Sequence, residues 1–153
     1  MPERGRDRVM ALDVGGRRTG VAVSDELGIL ASPVGYVERN ARDRAEFRGL
    51  VERWGITHML VGLPTSMSGR EGPQAAEVRA YADALAADLG LPLDYWDERL
   101  TTAMAERALI ESGTRRNRRK ERVDAVAAAM ILQSYLDAER GRQGRHARQR
   151  RQG

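Results

Sequence analysis

Val9-Met10-Ala11-Leu12-Asp13-Val14-Gly15-Gly16-Arg17-Arg18-Thr19-Gly20-Val21-Ala22-Val23-Ser24 is the stretch that decides the fold of this chain. Val9 to Leu12 is a short continuous apolar run, the mark of a buried central strand, and it meets a turn at Asp13-Val14-Gly15-Gly16. Gly20 to Ser24 is a second strand, so Gly15 to Thr19 reads as the hairpin connection. Asp13 therefore ends a buried strand, where an ionised carboxylate is costly unless it is paired or holds a metal. Two blander readings compete. An aspartate ahead of glycine is an ordinary turn residue. The glycines also invite a phosphate-loop reading, but Gly-Lys-Ser/Thr is missing and the run leads into a strand, whereas a dinucleotide fingerprint opens a helix.

Outward from the hairpin, Asp25-Glu26-Leu27-Gly28 has the residues of a type I turn, and a third strand is expected over Ile29 to Glu38. Asn40 caps a helix whose apolar positions Phe47, Leu50, Val51 and Trp54 follow i, i+3, i+4, i+7, with Gly55 as its C′ residue. His58 to Gly62 is a fourth strand, followed by a glycine-rich loop from Leu63 to Gly72. Pro73 opens a helix with Val78, Ala82, Leu85 and Leu89 on one stripe. Leu91 to Glu98 is a fifth strand. Thr101 or Thr102 caps a helix to about Glu111, Ser112-Gly113 ends it, and a last helix is expected from about Glu121 to Glu139. The order βββαβαβαα gives a five-stranded mixed sheet flanked by helices, in α/β or α+β class, as in ribonuclease H-like architectures.

Two further acids stand in unexpected places. Glu98 ends the fifth strand, where alternation puts Asp94, Trp96 and Glu98 on one face and Leu93, Tyr95 and Asp97 on the other. Asp97 and Glu98 are thus rivals for any one site, and both also fit as caps of the next helix or partners of Arg99. Asp124 lies on a helical stripe with Ala127, Ala128, Ile131 and Tyr135; a salt bridge to Arg122 or Arg99 is the structural alternative. Carboxylates converging at strand ends bind Mg²⁺ or Mn²⁺ through hard oxygen ligands. Two such ions, roughly 3.5–4 Å apart, clamp the attacking water and leaving oxygen of a phosphodiester.

Charge points the same way. The net charge is +4, but residues 140–153 hold six arginines and no acid, and without them the remaining 20 basic and 22 acidic residues leave −2. Arg115-Arg116-Asn117-Arg118-Arg119-Lys120 forms a second cluster, and Lys120 is the only lysine among the 26 basic residues. Arginine's planar fork suits phosphate better than a point charge, although an arginine-rich genome gives the same bias. With 153 residues the chain reads as one domain, residues 1–139, carrying an arginine-rich, disordered tail over 140–153. It has no cysteine, hence no disulfide framework or thiolate metal site. No apolar run approaches the roughly 18 residues of a membrane span and the polar start is no signal peptide, so a cytoplasmic location is expected. His58 and His146 carry little signal.

Ala11 to Asp25, Val61-Gly62-Leu63-Pro64, Gly72-Pro73-Gln74, Asp97-Glu98-Arg99-Leu100-Thr101-Thr102 and Val123-Asp124-Ala125-Val126-Ala127-Ala128 together resemble the YqgF (RuvX) family. The likeness covers about residues 8 to 138, in order and with compatible spacings. These are Holliday-junction-resolvase-like proteins associated with nuclease processing of the 16S ribosomal RNA precursor. The resemblance implies a ribonuclease H-like fold and a catalytic, metal-binding triad falling on Asp13, Glu98 and Asp124, with a two-metal Mg²⁺ or Mn²⁺ site. The family's Asp-x-Gly-x-Lys/Arg pattern is met by Asp13, Gly15 and Arg17. Arg17 and the cluster of Arg115, Arg116, Arg118, Arg119 and Lys120 are then the expected nucleic-acid contacts. The expected partner is precursor ribosomal RNA, with branched DNA as the main alternative; monomer and homodimer are both open. Two other classes compete: a non-catalytic nucleic-acid-binding module, against which all three acids argue, and an actin-like ATPase fragment, whose second nucleotide-binding half has no room here.

Overall fold

The computed structural model describes residues 7–66, 68–101 and 119–152, with the backbone alone at 119–124 and 143–152. Five strands, β1 (Val9–Val14), β2 (Arg18–Ser24), β3 (Ala31–Glu38), β4 (His58–Leu63) and β5 (Leu93–Asp97), form one sheet in the order β3-β2-β1-β4-β5. The first three run antiparallel as hairpins, while β4 and β5 join β1 in parallel. The helices are α1 (Asp43–Trp54), α2 (Pro73–Leu89) and α3 (Arg119–Gln152).

Alternation sorts the strands onto two cores. Met10, Leu12 and Val14 of β1 join Val21, Val23, Met59 and Val61 on the face covered by α1 and α2, where Phe47, Val78, Ala82 and Leu85 are buried. Val9 and Ala11 point the other way, joining Ala22 and Leu60 against Ala128, Ala129, Ile131, Leu132 and Leu136 of α3. Alanines on both partners let the helix lie close to the sheet. Asp13 continues the Val9, Ala11 series and so belongs to the α3 face.

Helix α3 is also pinned by a polar contact. The buried Gln133 amide accepts from Ala31 N (3.0 Å) and donates to the Ile29 carbonyl (2.8 Å) and to Asp137 (3.1 Å). A buried polar side chain satisfied this way fixes the helix against the start of β3.

Several boundaries differ from the sequence expectations. The hairpin connection is shorter than Gly15 to Thr19, since β2 starts at Arg18 and Thr19 is already paired with Val14. β3 starts at Ala31, because the Asp25 carboxylate accepts from Ile29 N (2.8 Å) and Leu30 N (3.3 Å) and keeps both in the turn. Asn40 does not cap α1 directly. Its side chain accepts from Arg42 N (2.8 Å) one turn early, and the helix begins at Asp43. Gly55 does take the left-handed C-terminal position, with φ of 63°.

The fifth strand ends at Asp97 rather than Glu98, which opens a short 3-10 turn, Glu98–Leu100. The helix expected from Thr101 or Thr102 to Glu111 falls outside the described residues. The last helix does not stop near Glu139; α3 continues to Gln152. Arginine and glutamine are good helix formers, and Asp137–Arg140 and Glu139–Arg142 ion pairs bridge the junction. Among the described residues no helix is long and apolar enough to cross a membrane.

Candidate active site

The parallel strands β1, β4 and β5 deliver their carboxyl ends to one edge of the sheet. The register that pairs Leu12 with Val61 and Gly62 with Trp96 sets Asp13 beside Gly62 on the α3 face. Asp13 is half-buried there. Glu98 arrives from the far side. A Cβ added at Gly62 would lie 2.5 Å from Ile131 Cδ1 and 3.3 Å from Glu98 Oε1, so the bare Gly62 makes the room that the Glu98 carboxylate and α3 share.

Burial pushes the Glu98 carboxyl above its ordinary range, and the charges of Asp13 and then Asp97 push it further. The two acids read from separate segments of sequence are therefore neighbours that repel each other. Asp124 is on α3, about two turns before Ile131 and on the same stripe. Its side chain lies outside the described ones.

Asp97 is separated from this pair by its hydrogen bonds. It faces away from Trp96, which packs on the α3 side, edge-on to Tyr135 at 5.8 Å. Asp97 Oδ1 accepts from Thr65 Oγ1 (2.6 Å) and from Arg99 N (2.9 Å), and Oδ2 accepts from Arg99 Nη2 (2.6 Å). The hydrogen bond from the Arg99 side chain, then that of Thr65, holds the Asp97 carboxyl well below the usual range. Asp97 is thus the paired acid that caps the turn, and Glu98 is the one beside Asp13.

The turn after Asp13 is held from outside. Gly15 N donates to Arg18 O (2.9 Å), leaving no space for a side chain, since a Cβ at Gly15 would lie 2.7 Å from that oxygen. Arg39, which nothing in the sequence singles out, donates from its backbone to Arg17 O (2.8 Å) and from Nη1 to Gly15 O (2.9 Å). Its guanidinium lies over Tyr81, 4.4 Å from the ring centre, and the Tyr81 hydroxyl donates to the buried Asp43 (2.6 Å). Arg17 projects from this braced turn and is exposed. Residues 115, 116 and 118 of the arginine cluster lie outside the described residues, while Arg119 and Lys120 open α3. His58 sits at the opposite end of β4, with Nδ1 2.8 Å from Thr57 Oγ1, and plays no part at this edge.

Chemically, Asp13 and Glu98 offer hard oxygen donors in a partly dry place among the described residues. That fits a divalent cation, whose charge would offset both the burial and the neighbouring carboxylates that raise Glu98. Among the described residues no three acidic or histidine side chains gather as a metal set; the third acid expected from sequence is Asp124.

A mixed sheet of this order, with acids at the ends of β1 and β5 on the face under the last helix, defines a ribonuclease H-like domain. The same fold is seen in RuvC of Thermus thermophilus bound to a Holliday junction substrate, at a TM-score of 0.59 and 16% identity over 88% of this chain and 96% of that one. RuvC of Thermus thermophilus in a second structure gives 0.57. Sequence relatives are much nearer. A Moorella thermoacetica protein named "Putative pre-16S rRNA nuclease" is 48% identical over 85% of this chain and 94% of its own length. A Listeria monocytogenes protein of that name is 46% identical over 85% and 97%. Residues 7–138 match the family model described as RuvX, Holliday junction resolvase, and the chain belongs to that family.

Proposed function

We propose that this protein is a divalent-metal-dependent nuclease that trims the precursor of 16S ribosomal RNA. The observation that carries the reading is the meeting of Asp13 and Glu98 at the sheet edge, with the Glu98 carboxyl pushed up by burial and by its neighbour's charge. Relatives 43–48% identical, named for that RNA, support the substrate. Asp13, Glu98 and Asp124 would hold Mg²⁺ or Mn²⁺ through their carboxylates. The bound ion would supply positive charge to the scissile phosphate and ease deprotonation of the attacking water. Arg17, presented on the turn braced by Arg39, and the cluster of Arg115, Arg116, Arg118, Arg119 and Lys120 would hold the phosphate backbone in register with the acids. The protein would act in the cytoplasm, where that precursor is made.

Branched DNA is the second reading, favoured by the description of the matching family model. Incubating purified protein with Mn²⁺ or Mg²⁺ and a panel of precursor 16S RNA, unrelated single-stranded RNA and a four-way DNA junction tests both. Selective cutting of the precursor is the expected result. Cutting of the junction alone would move the assignment to a resolvase, and no cutting of any member in either metal would sink the nuclease reading.

A further inference from the structure

The glycine-rich loop between β4 and α2 is bonded to the turn that carries Glu98. Thr65 donates to Asp97 Oδ1 at 2.6 Å, and the same oxygen caps that turn by accepting from Arg99 N at 2.9 Å. The Arg99 side chain closes the other side of the carboxylate, with Nε 3.0 Å from Oδ2. Beyond Thr65 the chain makes a tight turn: Ser66 N donates to Arg70 O (3.0 Å), Gly69 N to Ser66 O (2.9 Å) and Arg70 N to Ser66 Oγ (3.2 Å). Gly69, at φ 84°, lies flat against Arg99, whose Nη2 is 3.3 Å from where a Cβ would be. Oδ1 of Asp97 thus joins the two segments while Oδ2 is held by Arg99, and the residue next to Asp97 is the acid facing Asp13.

We infer that Thr65, Asp97 and Arg99 form a latch that positions Glu98 for the shared cation. This rests on the nuclease reading, in which Glu98 is a ligand. In this reading the three are positioning residues, each acting through the turn at 98–100. Outer partners of metal ligands typically contribute 10–100-fold to metal affinity or activity. The latch should therefore be felt in metal use and turnover rather than in capture of nucleic acid.

The test uses full-length protein with Thr65→Ser, Thr65→Val and Arg99→Lys, read by Mn²⁺ titration of the melting temperature and by kcat and KM on a precursor 16S RNA fragment. Thr65→Ser keeps the hydroxyl and should match wild type. Thr65→Val and Arg99→Lys should need about tenfold more Mn²⁺ for the same thermal shift and lose about 10–100-fold in kcat. Their KM for RNA should stay within about twofold. Wild-type Mn²⁺ response and kcat in both variants would overturn the latch, as would a fall in kcat that merely tracks lost folded protein with an unchanged Mn²⁺ titration. Wild-type protein that neither responds to Mn²⁺ nor cuts RNA would instead remove the nuclease reading on which the latch rests.

Discussion

Glu98 exists in tension with its surroundings, and that tension is measurable. Its folded-state carboxyl lies above its unfolded value, so the native state holds its proton more tightly. Stability from this group is greatest at pH below the ordinary glutamate range, and it declines as pH rises through the raised value. Glu98→Gln should therefore raise the melting temperature of metal-free protein at pH 7.5, by about 2 °C for a domain of this size. The gain should vanish near pH 4, and Mn²⁺-dependent cutting should be abolished, as in Asp13→Asn and Asp124→Asn. Melts with and without Mn²⁺ check the first part; wild-type cutting by any one amide variant would remove that residue from the site. Asp97 has the opposite sign. Its depressed carboxyl contributes stability above the ordinary aspartate range and loses it as pH falls towards the folded value.

Gly62 gives a second prediction at this scale. In Gly62→Ala the new methyl meets the flexible end of Ile131 and the Glu98 carboxylate. Overpacking of this kind costs about 1–3 kcal/mol, which urea titration would read, while activity should fall further than the loss of folded protein explains. A variant with full activity would mean that Glu98 works from another position.

Among the elements, α3 depends on Gln133. Gln133→Leu keeps the bulk but leaves Ala31 N and Ile29 O without their buried partner, which should cost about 1–3 kcal/mol in denaturant unfolding. The elements themselves were largely legible. Val9 to Leu12 and the stripes of Phe47 and Val78 declare their periods, and alternation along β5 puts Trp96 on one face and Asp97 on the other, whereas Glu98 reaches the α3 face from the 3-10 turn after the strand. What failed were ends settled by single side chains at a distance in sequence, such as Asp25 holding Ile29 and Leu30 in a turn. The pairing of Thr65 with Asp97 was invisible for the same reason, since nothing local to a threonine after a strand names a partner on a neighbouring one. Arg39 is one arginine among many in sequence, distinguished only by the Gly15 carbonyl and Tyr81 ring that the fold brings to it.

At the scale of the molecule, two bodies of arginine are distinguished by place. The 115–120 cluster leads into α3 just before Asp124, whereas residues 140–152 continue that helix by roughly 20 Å beyond the domain, at 1.5 Å per residue. Deleting 141–153 should weaken nucleic-acid binding and flatten its salt dependence by about 0.7–0.9 in log–log slope for each phosphate that the tail no longer neutralises. Turnover at saturating substrate should survive. Neutralising Arg115, Arg116, Arg118 and Arg119 should instead reduce turnover. Single-turnover cleavage beside a salt titration separates the two, and the reverse pattern would mean the roles are exchanged.

Helix α3 also sets a schedule. It covers Val9, Ala11, Ala22 and Leu60 and brings the last of the three proposed acids, yet among these elements it leaves the ribosome last. A nascent chain that has made every strand still has an open apolar face and two acids without a third. If Asp124 completes the proposed site, cutting power is withheld from partly made protein and arrives only when the domain closes.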